Sequence, residues 1–233
     1  MPDTKLDVRV YPIDEPQGST KAFASISVNN TVAIRGIRVV EDKEKMFVTM
    51  PQSRDKKTGK YHDIAFPIDG DLRKEITNAT LSEYDRVSNL HPGQRGYEKP
   101  EPDTNTDVLA ENVKFDIRVY PLAEPQGNTK AFASVSIDDL VAIRGIRVVE
   151  GTDGLFVSMP QSQSNEKYHD VAFPLIGELR KEISAGILEK FNTEKAHDRK
   201  ASLGNKLAEG TDKAAGHVAQ QNPAAKSAPG IGA

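Results

Sequence analysis

DVRVYPIDEPQGSTKAFASISVNNTVAIRGIRVVE, residues 7–41, returns at 116–150 as DIRVYPLAEPQGNTKAFASVSIDDLVAIRGIRVVE. The match runs on without a gap to FVTMPQS (47–53) and FVSMPQS (156–162). Roughly two positions in three are identical, about 109 residues apart. The copies resume as KYHDIAFPIDGDLRKEI (60–76) and KYHDVAFPLIGELRKEI (167–183), after a loop about two residues shorter in the second. The period is too long for a solenoid and suits a small domain. One folding unit is present twice, and the function is expected to be that of a joined pair.

Within each copy the strand pattern comes first. Leu6, Val8 and Val10 alternate with Asp7, Arg9 and Tyr11, as in a half-buried strand. Ala22, Ala24, Ile26 and Val28 alternate with Phe23, Ser25 and Ser27 and give a second. Asn29–Asn30, Asp138–Asp139 in the other copy, tolerate positive φ and suit a tight hairpin turn. In the third strand Val32 and Ile34 share one parity and Ile37 and Val39 the other. A bulge at Gly36 would return both pairs to one face. Phe47–Met50 is a short fourth strand closed by Pro51, and Tyr61–Ile68 a fifth bounded by Pro67. A helix capped by Asp69 or Asp71 follows. Its apolar stripe is Leu72, Ile76, Thr80 and Tyr84; Leu179, Ile183, Ile187 and Phe191 repeat it. The expected fold class is α+β: two similar domains, each an antiparallel sheet of four or five strands with a C-terminal helix, pairing as a pseudo-dimer. Pairing would cover edge strands and apolar surface that units of this size leave open.

The expected organisation is a first domain at 5–84, a flexible linker at 85–112, a second domain at 113–191 and a disordered tail at 192–233. The linker is rich in Pro, Asp, Glu and Asn, and the tail in Ala, Gly, Lys and Asn. A flexible linker of that length reaches about 30 Å, enough for the copies to pair within one chain. Hydrophobic residues make up 37% of the 233, in keeping with partial disorder. There is no Cys, which excludes disulfides and thiolate chemistry. No apolar run approaches the roughly 20 residues that span a bilayer, and the first residues lack a signal-peptide apolar region, so a cytoplasmic protein is expected. The net charge of −3 gives no global nucleic-acid signature, so any such site must be a local patch.

IRVVEGTDGLFVSMPQS (146–162), YHDVAFPL (168–175) and a helix opening LRKEI together resemble the SpoVG family, the stage V sporulation or septation protein G group. The first copy matches through IRVVE, FVTMP and YHDIAFPI. The resemblance covers nearly all of both copies but neither linker nor tail. It implies small bacterial cytoplasmic proteins with an antiparallel sheet and a C-terminal helix. These dimerise through the sheet and are associated with sporulation, septation and gene regulation; several bind DNA or RNA. The chain thus looks like a family dimer fused into one polypeptide. Two departures stand out. Where the family carries a basic pair after its MPS-like turn, the first copy has Arg54, Lys56, Lys57 and Lys60, but the second only Lys167. Where the family often reads DIAHP, this chain has Phe66 and Phe173.

The function expected from these features is a non-catalytic nucleic-acid-binding regulator contacting phosphates with modest affinity. The alternative is a protein-interaction module in division or sporulation control. Arg73–Lys74 and Arg180–Lys181 open the two helices, where basic side chains and free backbone N–H groups could hold a phosphate; solvated charge is the bland alternative. Arg35, Arg38, Arg144 and Arg147 lie on the bulged strand, with one of each pair expected on the open face. The competing reading is pairing with Asp7, Asp116, Glu41 or Glu150. Arg54, Lys56 and Lys57 belong to the basic loop. Tyr11, Phe23, Tyr61, Tyr120, Phe132 and Tyr168 are expected mainly in core or interface, since base stacking needs exposed rings. His62 and His169 lack a second ligand at metal spacing. No P-loop, dinucleotide-binding glycine motif or nucleophile elbow occurs, so neither a cofactor nor an enzyme is expected.

Overall fold

The computed structural model describes residues 4–43, 45–55, 58–90, 113–164 and 167–196. The first copy contributes β1 (Leu6–Pro12), β2 (Thr20–Val28), β3 (Val32–Asp42), β4 (Lys45–Thr49), β5 (Gln52–Arg54), β6 (Tyr61–Asp63), β7 (Ala65–Pro67) and α1 (Gly70–Ser88). The second contributes β8 (Phe115–Gln126), β9 (Thr129–Ile137), β10 (Val141–Gly151), β11 (Gly154–Ser158), β12 (Gln161–Ser164), β13 (Lys167–Asp170) and β14 (Ala172–Pro174). A second helix, α2, is described over 177–196. Each helix runs past the end expected for its domain, α1 through residues 85–88 and α2 through 192–196. Asn89 follows as the C-cap of α1; residues 91–112 of the expected linker and 197–233 of the expected tail lie outside the described residues.

The turns form where the sequence placed them. Asn29 and Asn30 have φ of 51° and 52°, and Asp138 and Asp139 of 52° and 55°, as a primed hairpin turn requires. Asn29 Oδ1 accepts from Lys5 N–H at 2.9 Å, and Asp138 Oδ1 from Lys114 N–H at 2.9 Å, so each turn also ties down the start of the first strand of its copy. The bulge falls at Gly36 and Gly145, both at φ 75°, a conformation that disfavours any Cβ. Across it Ile34 pairs with Ile26 and Ile37 with Ala24, so both isoleucines face the core.

The expected fifth strand is broken at Ile64. Its first half, β6, folds back on β5 as a small separate hairpin, with Gln52 opposite Asp63 and Arg54 opposite Tyr61. Its second half, β7, leaves its own copy. It pairs antiparallel with β10, Phe66 opposite Ala142. Reciprocally β14 pairs with β3, Phe173 opposite Ala33. Flanking bonds lengthen both ladders: Arg35 N–H to Val171 O at 2.7 Å, Leu175 N–H to Thr31 O at 2.8 Å, Arg144 N–H to Ile64 O at 2.7 Å and Ile68 N–H to Leu140 O at 2.8 Å. Each main sheet therefore holds four strands of one copy and one of the other, in orders β1-β2-β3-β14 and β11-β10-β9-β8, with β4 on β3 and β7 on β10. The bulge divides β3 so that residues 32–34 meet β14 and residues 38–42 meet β4. The β2–β3 and β9–β10 turns line a common gap, Asn29 and Thr31 on one side and Asp138 and Leu140 on the other. The two copies thus form one compact unit ending at Phe191.

The inner face of each sheet carries its helix. Ala22 and Ala24 are buried on that face, 0% and 2% exposed, and α1 approaches the sheet most closely over β1. Leu72, Ile76, Thr80 and Val87 are its buried residues. In α2, Leu179, Ile183 and Ile187 are fully buried and Phe191 is 1% exposed. Burying such a side chain contributes about 1.5–3 kcal/mol. The Asp69 carboxylate caps α1, accepting from Asp71 N–H at 3.2 Å.

Candidate nucleic-acid interface

With helices on the inner faces, the outer faces of both sheets are left open. The alternation of β1 and β2 sends Asp7, Arg9, Tyr11, Phe23, Ser25 and Ser27 outward. The bulge then acts on the arginines. Arg35 lies opposite Ser25 and Arg38 opposite Phe23, so both reach the same outer face. One of each pair was expected there; the extra residue brings both, because it restores parity for the side chains on either side of it. Arg147 likewise lies opposite Phe132, with Arg144 inside the corresponding bulge.

The carboxylates named as alternative partners of these arginines are engaged elsewhere. Asp7 holds Arg9 at 3.2 Å and Asp116 holds Arg118 at 3.4 Å. Glu41 holds Lys21 at 2.8 Å and Glu150 holds Lys130 at 2.5 Å. Among the described residues none of Arg35, Arg38, Arg144 and Arg147 has a carboxylate within ion-pair distance. Two of them rest on aromatic rings of the exchanged strands instead. The Arg35 guanidinium lies 4.8 Å from the Phe173 ring centre and that of Arg144 4.6 Å from Phe66. Such contacts contribute about 0.5–2 kcal/mol. They also fix two cations beside the junction of the copies.

The aromatic residues correct an expectation. Placed in core or interface by the sequence reading, Tyr11 is 41% exposed, Phe23 49%, Tyr61 63%, Tyr120 55% and Tyr168 66%; only Phe132 is half-buried. The signal was present in Ala22-Phe23-Ala24: the alanines are buried on the inner face, so the ring between them must face out. Tyr11, Phe23, Arg38 and Thr49 are consecutive cross-strand partners. Tyr120, Phe132, Arg147 and Ser158 repeat the row.

The rows are not equivalent. Arg147 donates to Ser158 Oγ at 3.4 Å, and that hydroxyl donates to Met159 O at 3.3 Å. Thr49 Oγ1 is buried with no such partner, and its row leaves Phe23 more open. Beside the first row a shallow cleft of about 160 Å³ is lined by Arg9, Arg35, Ser25, Ser27 and Asp7.

The helix-start cations sit differently. Arg73 faces Asp63 of β6 at 3.7 Å and Arg180 faces Asp170 of β13 at 2.9 Å. Lys74 bonds Asp71 at 2.9 Å and Lys181 bonds Glu178 at 2.6 Å. The Asp71 hydrogen bond and charge hold Lys74 protonated above the ordinary lysine range, and Glu178 does the same for Lys181. The first turn of α1 is further filled by its Asp69 cap. These four cations are exposed but locally balanced, unlike those on the sheet faces. Arg54 is exposed on the β5–β6 hairpin, its Nε donating to Gly59 O at 3.3 Å; Lys56 and Lys57 lie outside the described residues. His62 and His169 stand opposite Ser53 and Ser162. No cluster of three or more metal-ligating side chains occurs among the described residues, and none of their helices is long and apolar enough to cross a membrane.

Comparison with known proteins bears on both copies. The family model described as SpoVG matches residues 4–86 and again 113–193. Similar proteins carry the name "Putative septation protein SpoVG". That of Agathobacter rectalis is 41% identical over 80 residues, 34% of this chain and 91% of the relative. That of Myxococcus xanthus is 36% identical over 90 residues, 39% and 86% of the two chains. That of Staphylococcus aureus is 37% identical over 86 residues, 37% and 84%.

Proposed function

From a chain that belongs to the SpoVG family, as two tandem copies, we propose a non-catalytic nucleic-acid-binding regulator that contacts its ligand through the open faces of its sheets. The observation that carries this reading is the pair of outer faces bearing arginines without carboxylate partners among the described residues, next to exposed aromatic rings. Cations in that state are available to phosphates without first breaking an ion pair. The reciprocal strand exchange supports it further, because it holds two such faces on one molecule. Arg35, Arg38, Arg144 and Arg147 take the leading role. Arg54, exposed on the β5–β6 hairpin, adds a cation to the first half. Arg73, Lys74, Arg180 and Lys181 contribute less, their charge being met by Asp63, Asp71, Asp170 and Glu178. That balance also favours the alternative, a protein-interaction module in division control acting without nucleic acid.

Replacing Arg38 and Arg147 together by Ala separates these readings. Neither side chain has an ion pair to lose, so the variant keeps its fold. In fluorescence anisotropy its affinity falls, and the slope of log K against log salt becomes shallower by about 1.5–2, the loss of two phosphate contacts. An unchanged slope would remove the sheet faces from the account.

A further inference from the structure

We infer that the first sheet face selects unpaired bases: Tyr11 and Phe23 are stacking platforms for a single strand of nucleic acid, with Arg38 at the end of their row and Arg35 as a phosphate contact beside it. This rests on the nucleic-acid reading above and adds the class of ligand.

Three observations carry it. The first is register. Tyr11, Phe23 and Arg38 are direct cross-strand partners on β1, β2 and β3, on strands about 4.8 Å apart. Two rings and a guanidinium therefore form one continuous line on a rigid sheet. The second is exposure. Tyr11, on the edge strand β1, and Phe23, on its neighbour β2, are 41% and 49% exposed on a sheet face whose inner side is packed. A large ring held out of a core that has room only for alanine at its neighbours has a flat apolar face to offer, and each nucleic-acid base has one to match it. Bases inside a duplex are already stacked and paired, and their faces cannot reach the rings; only unpaired bases can. The third is charge. Arg35 and Arg38 have no carboxylate partner among the described residues, and in the cleft next to the row, where Asp7 pairs with Arg9, Arg35 is left with its charge unmet. A polyanion complements that surface better than an acidic-and-basic protein surface does.

The second face makes a weaker version of the same site. Phe132 is half-buried, and Arg147 is tied to Ser158. The single strand accordingly lies mainly on the first copy.

The test uses the full chain and three probes of equal length: an unstructured thymidine oligonucleotide, the matching uridine oligonucleotide, and a duplex. Tyr11→Ala with Phe23→Ala lowers affinity for both single strands about tenfold or more, the contribution of one or two stacked bases, and leaves duplex affinity unchanged. Phe23→Trp retains single-strand binding, which a mere disturbance of the sheet would not allow. Tyr120→Ala with Phe132→Ala costs less. Equal losses on strand and duplex, or no loss on the strands, would overturn the stacking site while leaving a phosphate-binding face in place. Failure of the unsubstituted chain to bind any of the three probes would overturn both readings and assign the exposed rings to a protein partner.

Discussion

Ala172→Asp lowers the stability of the entire unit by about 3–5 kcal/mol at neutral pH, the usual consequence of leaving a buried charge without a partner. Ala172 is 0% exposed and lies opposite Ile34, also 0% exposed, where β14 of the second copy enters the first copy's sheet. No cation in the described structure stands ready to meet a carboxylate there, so the charge must either be desolvated or force the strand out. Either route removes a ladder that each copy depends on, and the loss is felt by both halves in a single urea transition. The deficit narrows in acid. Burial raises the folded-state pKa of the introduced carboxyl above its unfolded value. The penalty is therefore present above the folded pKa and shrinks as pH falls through it. A change within about 0.5 kcal/mol, the range of ordinary surface substitutions, would mean that the exchanged strand is not packed as described.

Phe191→Ala has a comparable effect, about 3–5 kcal/mol. Phe191 is 1% exposed and closes the stripe begun by Leu179, Ile183 and Ile187. Its counterpart in α1, Tyr84, is only half-buried, and Thr80 there takes the place of Ile187 with a buried hydroxyl that has no hydrogen-bond partner. The two helices therefore dock with unequal strength despite their common ancestry in sequence. The same truncation at Tyr84 costs markedly less, because less surface is buried and less cavity remains. Chemical denaturation of the two variants side by side measures the difference; equal losses would contradict the unequal packing.

What the sequence revealed and what it concealed follow one division, between local and distant causes. The Gly36 bulge was legible because parity on either side of it is written in Val32, Ile34, Ile37 and Val39. The asparagine and aspartate turns were legible because positive φ selects few residues. The helix stripe was legible from its i, i+4 spacing. The exchange of β7 and β14 was not. Both strands read AFP, and both partners read VAI, so nothing local says which copy's third strand each will join. The ion pair of Lys74 with Asp71 lies three residues apart on one helix and could be read. That of Arg73 with Asp63 depends on the β6 hairpin meeting the helix start. For the candidate site, the common face of Arg35 and Arg38 was missed, since a bulge restores parity for charged side chains as well as apolar ones. The exposed rings were misplaced by giving size precedence over alternation. Phe23 is large, but its parity opposes that of the two alanines, and alternation decides which face a strand residue takes.

That the two copies complete one another's sheets within a single chain is the claim from which the paired open faces follow. It is tested most directly by a disulfide. The chain has no cysteine of its own, so Ala33→Cys with Phe173→Cys introduces the only two thiols. These positions are cross-strand partners on β3 and β14. Hydrogen-bonded antiparallel partners have Cα atoms about 5.5 Å apart, within the roughly 4.4–6.8 Å that a disulfide spans. Oxidation of dilute protein should give a monomer with one internal bridge, shown by intact mass and by the linked peptide after digestion. A two-chain disulfide product, or two thiols that stay free under the same oxidant, would contradict the reciprocal exchange.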